Sequence, residues 1–220
     1  MKDFFAQQRW LMVETQIRAR GIRDPRVLRA LETVPRHLFI GPDYQDEAYA
    51  DHPVPIGDQQ TISQPYMVAL MTELLELNGS EKVLELGTGS GYQAAILAEV
   101  ARRVCTIERL ESLSHQADAL LKSLGYTTIV TRVGDGTCGW AEEAPFNAIL
   151  VTAGAPSIPL VLLEQLAVGG RLVIPVGDRN AQNLIRVTRL SADVNDVRQE
   201  DFGGCRFVSL IGAHGWEVID

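Results

Sequence analysis

At 220 residues, 46 % hydrophobic and 22 % charged, the chain has the balance of a globular domain with its own core, not of a disordered or fibrous segment. A formal net charge of −8 argues against a nucleic-acid partner, which calls for a basic face, and no apolar run is long enough to span a membrane. Residues 1–20 have no signal-peptide layout, the three cysteines form no Cys-x-x-Cys pair and the four histidines lack metal-ligand spacing, so the reading is a cytoplasmic protein without disulfide or metal.

Residues 1–50 read as helical. Seven Arg and one Lys against four acids fall in the first forty residues, a bias that reads as a solvated helix face. Asp24-Pro25 supplies a cap followed by proline at the first helical position, and Val27, Leu28, Leu31 and Val34 then share one face until Pro35. Residues 51–65 read as loop. Pro65 opens an apolar helix through Met67, Leu70, Met71, Leu74 and Leu75 that stops near Asn78-Gly79.

From 82 to 176 strand and helix alternate. Strands are expected at 82–86, 103–108, 128–133, 148–151 and 170–175, and helices at 92–101, 110–124 and 158–166. Such alternation implies a doubly wound, mostly parallel α/β sheet with helices on both faces. Two more strands, at 183–189 and 206–210, have no helix between them and predict an antiparallel edge. A single domain over 1–220 is expected, with an N-terminal region to 80, an α/β core over 81–178 and C-terminal strands over 179–220.

The stretch Val-Leu-Glu-Leu-Gly-Thr-Gly-Ser-Gly at 83–91 carries the most chemistry. Gly87, Gly89 and Gly91 are spaced Gly-x-Gly-x-Gly, not in the Gly-x-Gly-x-x-Gly pattern that cradles a dinucleotide pyrophosphate. Glu85, just before them, would repel a phosphate and favour a cation. S-adenosylmethionine, with its sulfonium and α-ammonium, fits such a loop, which Thr88 and Ser90 complete. Two further acids fall at strand ends, where open α/β sheets bind ligands. Glu108 offers two acceptor oxygens for ribose hydroxyls, and Asp135, beside Gly136, can accept an adenine amino proton. No Gly-Lys occurs, which excludes a Walker phosphate loop, and a nicotinamide enzyme would leave Glu85 unexplained. The loop Gln59-Gln60-Thr61-Ile62-Ser63-Gln64-Pro65 places two hydroxyls before a helix. There they either cap the helix or, with its free N–H groups, bind a carboxylate.

Residues from about 10 to 212 resemble the protein-L-isoaspartate O-methyltransferase family. The matching stretches include Val34-Pro35-Arg36-His37-Leu38-Phe39, Gln60-Thr61-Ile62-Ser63-Gln64-Pro65, 83–95, Ile107-Glu108-Arg109, Gly134-Asp135-Gly136 and Arg206-Phe207-Val208. The resemblance implies a class I, Rossmann-like methyltransferase that uses S-adenosyl-L-methionine and releases S-adenosyl-L-homocysteine. Its acceptor would be the α-carboxylate of L-isoaspartyl, and also D-aspartyl, residues in damaged proteins, the ester collapsing to a succinimide. It implies that Ser63 is the active-site residue with Thr61 beside it, that Gln60, Ile62, Val151, Thr152 and Val208 contact the substrate, and that the protein works as a monomer. Three positions depart from the family's usual pattern: Gly57-Asp58-Gln59-Gln60 for Gly-x-Gly-Gln, Asn147 for Asp, and Ser209 for Pro. These leave open a methyltransferase of the same fold with another carboxylate acceptor, as in peptide tailoring, or a non-catalytic module that binds the cofactor or isoaspartyl peptides.

Overall fold

A computed structural model of the chain describes residues 2–218. Helix α1 (Lys2–Met12) passes through a π-turn at Val13–Ile17 and a 3₁₀ turn at Arg18–Arg20, and α2 (Pro25–Thr33) follows. The cap read from Asp24-Pro25 forms, with Asp24 Oδ1 accepting the Arg26 N–H at 2.8 Å. Val27, Leu28 and Leu31 are buried as their spacing requires.

Residues 51–65 are not all loop. A short antiparallel hairpin, β1 (Val54–Gly57) and β2 (Gln60–Ile62), stands between the N-terminal helices and α3 (Pro65–Leu74). Its strands are too short, and β1 too proline-rich, to show an alternating pattern. Asp58 and Gln59, the two turn residues, have φ of 49° and 58°. A two-residue hairpin turn of this kind needs positive φ at both positions and favours Asn or Gly there. A left-handed L-residue costs roughly 1–2 kcal/mol, and glycine's extra freedom in the unfolded chain offsets part of that. Gln59→Gly is therefore expected to stabilise the protein by about 0.5 kcal/mol, a rise of roughly 1–2 °C in Tm by calorimetry. A fall in Tm would show that Gln59 gains more from its contacts than its backbone loses.

The central sheet has seven strands. β3 (Lys82–Leu86), β4 (Arg103–Glu108), β5 (Ile129–Val133), β6 (Phe146–Val151) and β7 (Leu166–Gly177) run parallel, and β8 (Gln182–Arg189) and β9 (Val197–Cys205) complete an antiparallel edge. The order is β5-β4-β3-β6-β7-β8-β9, with α4 (Tyr92–Val100), α5 (Glu111–Ser123) and α6 (Leu160–Gln165) in the crossovers. This is the expected doubly wound α/β fold. Side chains alternate between two cores: Val83, Ala148 and Leu150 pack under the N-terminal helices, and Leu84, Leu86, Ile149 and Val151 pack on the opposite face. The chain enters the sheet at β3, steps outward to β5, then returns to β6 on the other side of β3. The strand order reverses there, so a crevice opens at the carboxyl ends of β3 and β6. No helix among the described residues is long and apolar enough to cross a membrane.

The strand expected at 206–210 is a correction. The last strand is β9, whose sequence alternates charged residues that pair across the edge: Arg186 on β8 meets Glu200 at 2.9 Å and Asn183 meets Asp201 at 2.7 Å. Residues 206–210 leave the sheet and cross the strand ends. Gln182 Oε1 accepts the Phe207 N–H, and Gly154 bonds both the Val208 carbonyl and the Leu210 N–H.

Candidate active site

The crevice holds a cavity that opens to solvent. One wall is the glycine loop. The Gly87 N–H donates to the Ile107 carbonyl at 2.8 Å, and the Gly91 N–H to Thr88 at 2.8 Å, which folds the loop tightly over the end of β4. Gly87 has φ 97°, and a Cβ there would collide with Thr152 Oγ1. That hydroxyl is fixed 2.9 and 2.8 Å from the Leu86 and Gly87 carbonyls, so it locks the ends of β3 and β6 together. Thr88, Gly89 and Ser90 continue the wall, and a Cβ on Gly89 would meet only Ile56, at 3.5 Å. Gly91 instead faces α5, where Ala117 and Leu121 sit within 3.3 Å of a would-be Cβ, so its role is helix packing.

Glu108 lies at the cavity wall. Its Oε2 accepts the Gly89 N–H at 2.9 Å and its Oε1 the Leu110 N–H at 3.0 Å. Each oxygen keeps a second lone pair, enough for two ligand hydroxyls. Glu85 is fully buried behind the wall. It reaches the loop through a relay in which Thr106 Oγ1 donates to Glu85 Oε2 and lies 2.6 Å from Thr88 Oγ1, while Glu85 Oε1 has no hydrogen-bond partner among the described residues. Burial, reinforced by the nearby Glu108 charge and only partly opposed by Thr106, pushes the Glu85 carboxyl up to about 8. Gly136 also lines the cavity, against Leu86, but Asp135 does not. Its Oδ1 accepts from the Thr137 N–H and hydroxyl, and its Oδ2 from the Ala213 N–H. Burial alone would raise Asp135, but these donors outweigh it and hold the carboxyl below its ordinary range. Asp135 here anchors the closing segment. Val151, fully buried in β6, likewise lies behind the wall.

The hairpin forms the facing wall with Gln60, Thr61, Ile62 and Ser63. The helix-capping reading of the two hydroxyls does not hold. The N-cap of α3 is Gln64, and no side chain caps it. Ser63 is placed by its carbonyl, which accepts from Arg36 Nη2 at 2.8 Å. Arg36 is wholly buried; its Nε donates to the Ala48 carbonyl at 2.7 Å, and its guanidinium stands 4.8 Å from the Tyr92 ring. Burial lowers its pKa to about 10, which leaves it charged at neutral pH. Sequence reasoning missed its role, because an isolated arginine after a helix reads as surface.

A wider groove opens beside the cavity and shares Thr61, Ser63, Arg109, Thr152, Val208 and Ser209 with it. Four hydroxyl-bearing residues thus line the junction, Ser209 among them. The Asn147 departure is accounted for as well, since its Oδ1 accepts the Lys82 N–H at 2.9 Å, a bond that needs one oxygen and no charge. His52 stays outside, exposed and 3.4 Å from Glu47.

Residues 7–215 match the family profile described as protein-L-isoaspartate(D-aspartate) O-methyltransferase. A protein-L-isoaspartate O-methyltransferase of Syntrophus aciditrophicus (strain SB) is 61 % identical over 216 residues, 98 % of this chain and 99 % of the relative. The chain belongs to the protein-L-isoaspartate(D-aspartate) O-methyltransferase family. A second relative, protein-L-isoaspartate O-methyltransferase 1 of Syntrophobacter fumaroxidans, is 58 % identical over 97 % of this chain and 98 % of its own. Among solved structures, a protein-L-isoaspartate O-methyltransferase superposes with a TM-score of 0.83 at 26 % identity, over 96 % of this chain and 67 % of its own. A Plasmodium falciparum protein titled as a putative member, in complex with S-adenosyl-L-homocysteine, superposes with a TM-score of 0.76 at 26 % identity, over 91 % of this chain and 96 % of its own.

Proposed function

We propose that this protein methylates the α-carboxylate of L-isoaspartyl residues, and of D-aspartyl residues, in damaged proteins, with S-adenosyl-L-methionine as donor. The observation that carries the reading is the meeting of two walls in one crevice: a glycine loop with Glu108, and Thr61 with Ser63. The donor fits the first wall. Gly89 leaves open space at the wall, Glu108 keeps free lone pairs, and Glu85, neutral in the ligand-free protein at pH 7, is drawn to ionise by a cation and not by a phosphate. When bound, the donor supplies an electrophilic methyl group on a sulfonium. Glu85, Gly91 and Asp135 act behind the wall, the first through Thr106 and Thr88, the second by packing α4 on α5, the third by holding down the closing segment.

The acceptor carboxylate is already ionised at neutral pH, so the chain has no proton to remove. Its task is orientation and exclusion of water. The Thr61 and Ser63 hydroxyls donate to the carboxylate, the first-turn N–H groups of α3 add positive potential, and the buried Arg36 charge stands behind them. Gln60, Ile62, Thr152 and Val208 shape the space around the acceptor, with Val151 supporting Thr152 from the core. We place the reaction in the cytoplasm, catalysed by a monomer that uses neither nucleic acid nor membrane.

The test is transfer of labelled methyl from the donor to a matched peptide pair, one isoaspartyl and one normal aspartyl. Base-labile label on the isoaspartyl peptide alone supports the assignment. Label on neither peptide, with the donor still bound, overturns it in favour of another carboxylate acceptor or a non-catalytic binder. Ser63→Ala removes one hydrogen bond to a charged group, worth about 1.5–3 kcal/mol, so kcat is expected to fall roughly 10- to 100-fold with donor affinity nearly unchanged. An unaltered kcat would remove Ser63 from the mechanism.

A further inference from the structure

We propose that the groove beside the acceptor site selects isoaspartyl segments flanked by acidic residues, through a lining of four arginines. This rests on the methyltransferase reading above and names the substrates that reading leaves open. The groove is walled by Arg20, Arg109, Arg179 and Arg206 and by no aspartate or glutamate, in a chain whose formal net charge is −8. The four come from separate places: the 3₁₀ turn after α1, the end of β4, the β7–β8 turn and the segment after β9. Their convergence is a product of the fold.

Their charges are largely uncancelled. Among the described residues Arg20 alone of the four has a carboxylate partner, Asp51 at 3.0 Å, and its guanidinium also lies 3.7 Å from the centre of the Tyr66 ring. Arg179 donates to the Glu217 backbone carbonyl and stacks on Trp216, contacts that orient a guanidinium without neutralising it. Among the described residues, neither Arg109, Arg179 nor Arg206 has a carboxylate within 4.0 Å. Asp58 and Asp201 keep their charges, bonded to the Ser112 hydroxyl and to the Asn183 amide and Gly203 N–H, but neither lines the groove. Arg186 shows the contrast, lying between Glu76 at 2.7 Å and Glu200 at 2.9 Å.

The overall acidity of the protein opposes an acidic peptide, but only at long range. At physiological ionic strength the screening length is about 8 Å, so remote carboxylates are muted while guanidinium groups in contact are not. Arginine also matches a carboxylate geometrically, with two parallel N–H donors. An exposed pair of this kind contributes roughly a two- to fivefold gain in affinity. Two flanking carboxylates set against the groove therefore bring roughly a four- to twenty-five-fold preference.

The test uses three isoaspartyl peptides of one length with Glu, Gln or Lys on both sides of the damaged residue. The readout is kcat/KM for methyl transfer at low salt and at 0.5 M NaCl. The expected order is Glu above Gln above Lys, with Glu about fivefold over Gln at low salt and the gap closing at high salt. In R179Q/R206Q the Glu-to-Gln ratio, taken within the same variant, is expected to fall toward one. Equal values for the Glu and Gln peptides at low salt, or a ratio untouched by the double substitution, overturns the proposal. Failure to methylate any of the three peptides overturns the methyltransferase reading on which it rests.

Discussion

Arg36→Ala is expected to destabilise the protein by about 3–5 kcal/mol and to lower kcat by more than its effect on donor binding. The substitution leaves two carbonyls, those of Ala48 and Ser63, without their donor, and each such buried orphan costs about 1–3 kcal/mol. It also opens a cavity beside Tyr92, since Arg36 is the largest of the fully buried side chains. One offset exists. The native guanidinium is itself a buried charge with Nη1 unpartnered, so part of its desolvation penalty disappears with it. Two orphaned acceptors and a cavity outweigh that relief. Arg36→Lys separates the effects, because an ammonium keeps the charge but lacks the rigid fork that spans the two carbonyls. Urea unfolding reads the stability change, and a loss below about 1 kcal/mol for Arg36→Ala would mean that the hairpin is held by its apolar contacts alone.

Glu85→Gln is expected to raise the stability of the ligand-free protein at pH 8 by about 4 kcal/mol and to leave it nearly unchanged near pH 4.5. Burial holds the folded-state carboxyl near 8, against an ordinary value of 4.5. Below 4.5 both folded and unfolded chains keep the proton, and the residue brings no penalty. Between 4.5 and 8 the unfolded chain has released its proton while the folded chain has not, so stability declines as pH rises through that window and levels off above it. Glutamine cannot ionise and abolishes the decline. Urea unfolding of both proteins across pH 4.5 to 8.5 checks this, and parallel profiles would refute a buried, protonated Glu85. A residue that weakens the fold at working pH is explained by the site it backs: in the proposed reaction a cationic ligand draws Glu85 toward its ionised form, and donor affinity should fall in the same variant.

The parallel strands were legible in the sequence because both their faces are buried, which turns each into a short apolar run. The glycine loop and Glu108 were legible because a tight turn and an acid at a strand end are local features. What escaped depends on distant partners. β9 was misplaced because Arg198 and Glu200 give it the polarity of a loop, and only Arg186 on β8 makes sense of them. Asp135 looked like a ligand contact, and its partner Ala213 is 78 residues away. Arg36 was passed over because no local pattern marks a guanidinium that will be sealed under a hairpin 27 residues on.

The closing segment also separates what builds the scaffold from what completes the site. Every strand of the parallel sheet, and the antiparallel β8, is specified by residue 189, yet the crevice gains Val208, Ser209 and Ile211 only from the segment after β9. Sheet and crevice are thus closed by different stretches of the chain, the sheet by residues 82–205 and the last side of the crevice by 206–211. Gly154, Asp135 and Gln182 hold residues 207–213 by hydrogen bonds, so the pocket is completed by a segment that adds nothing to the main sheet.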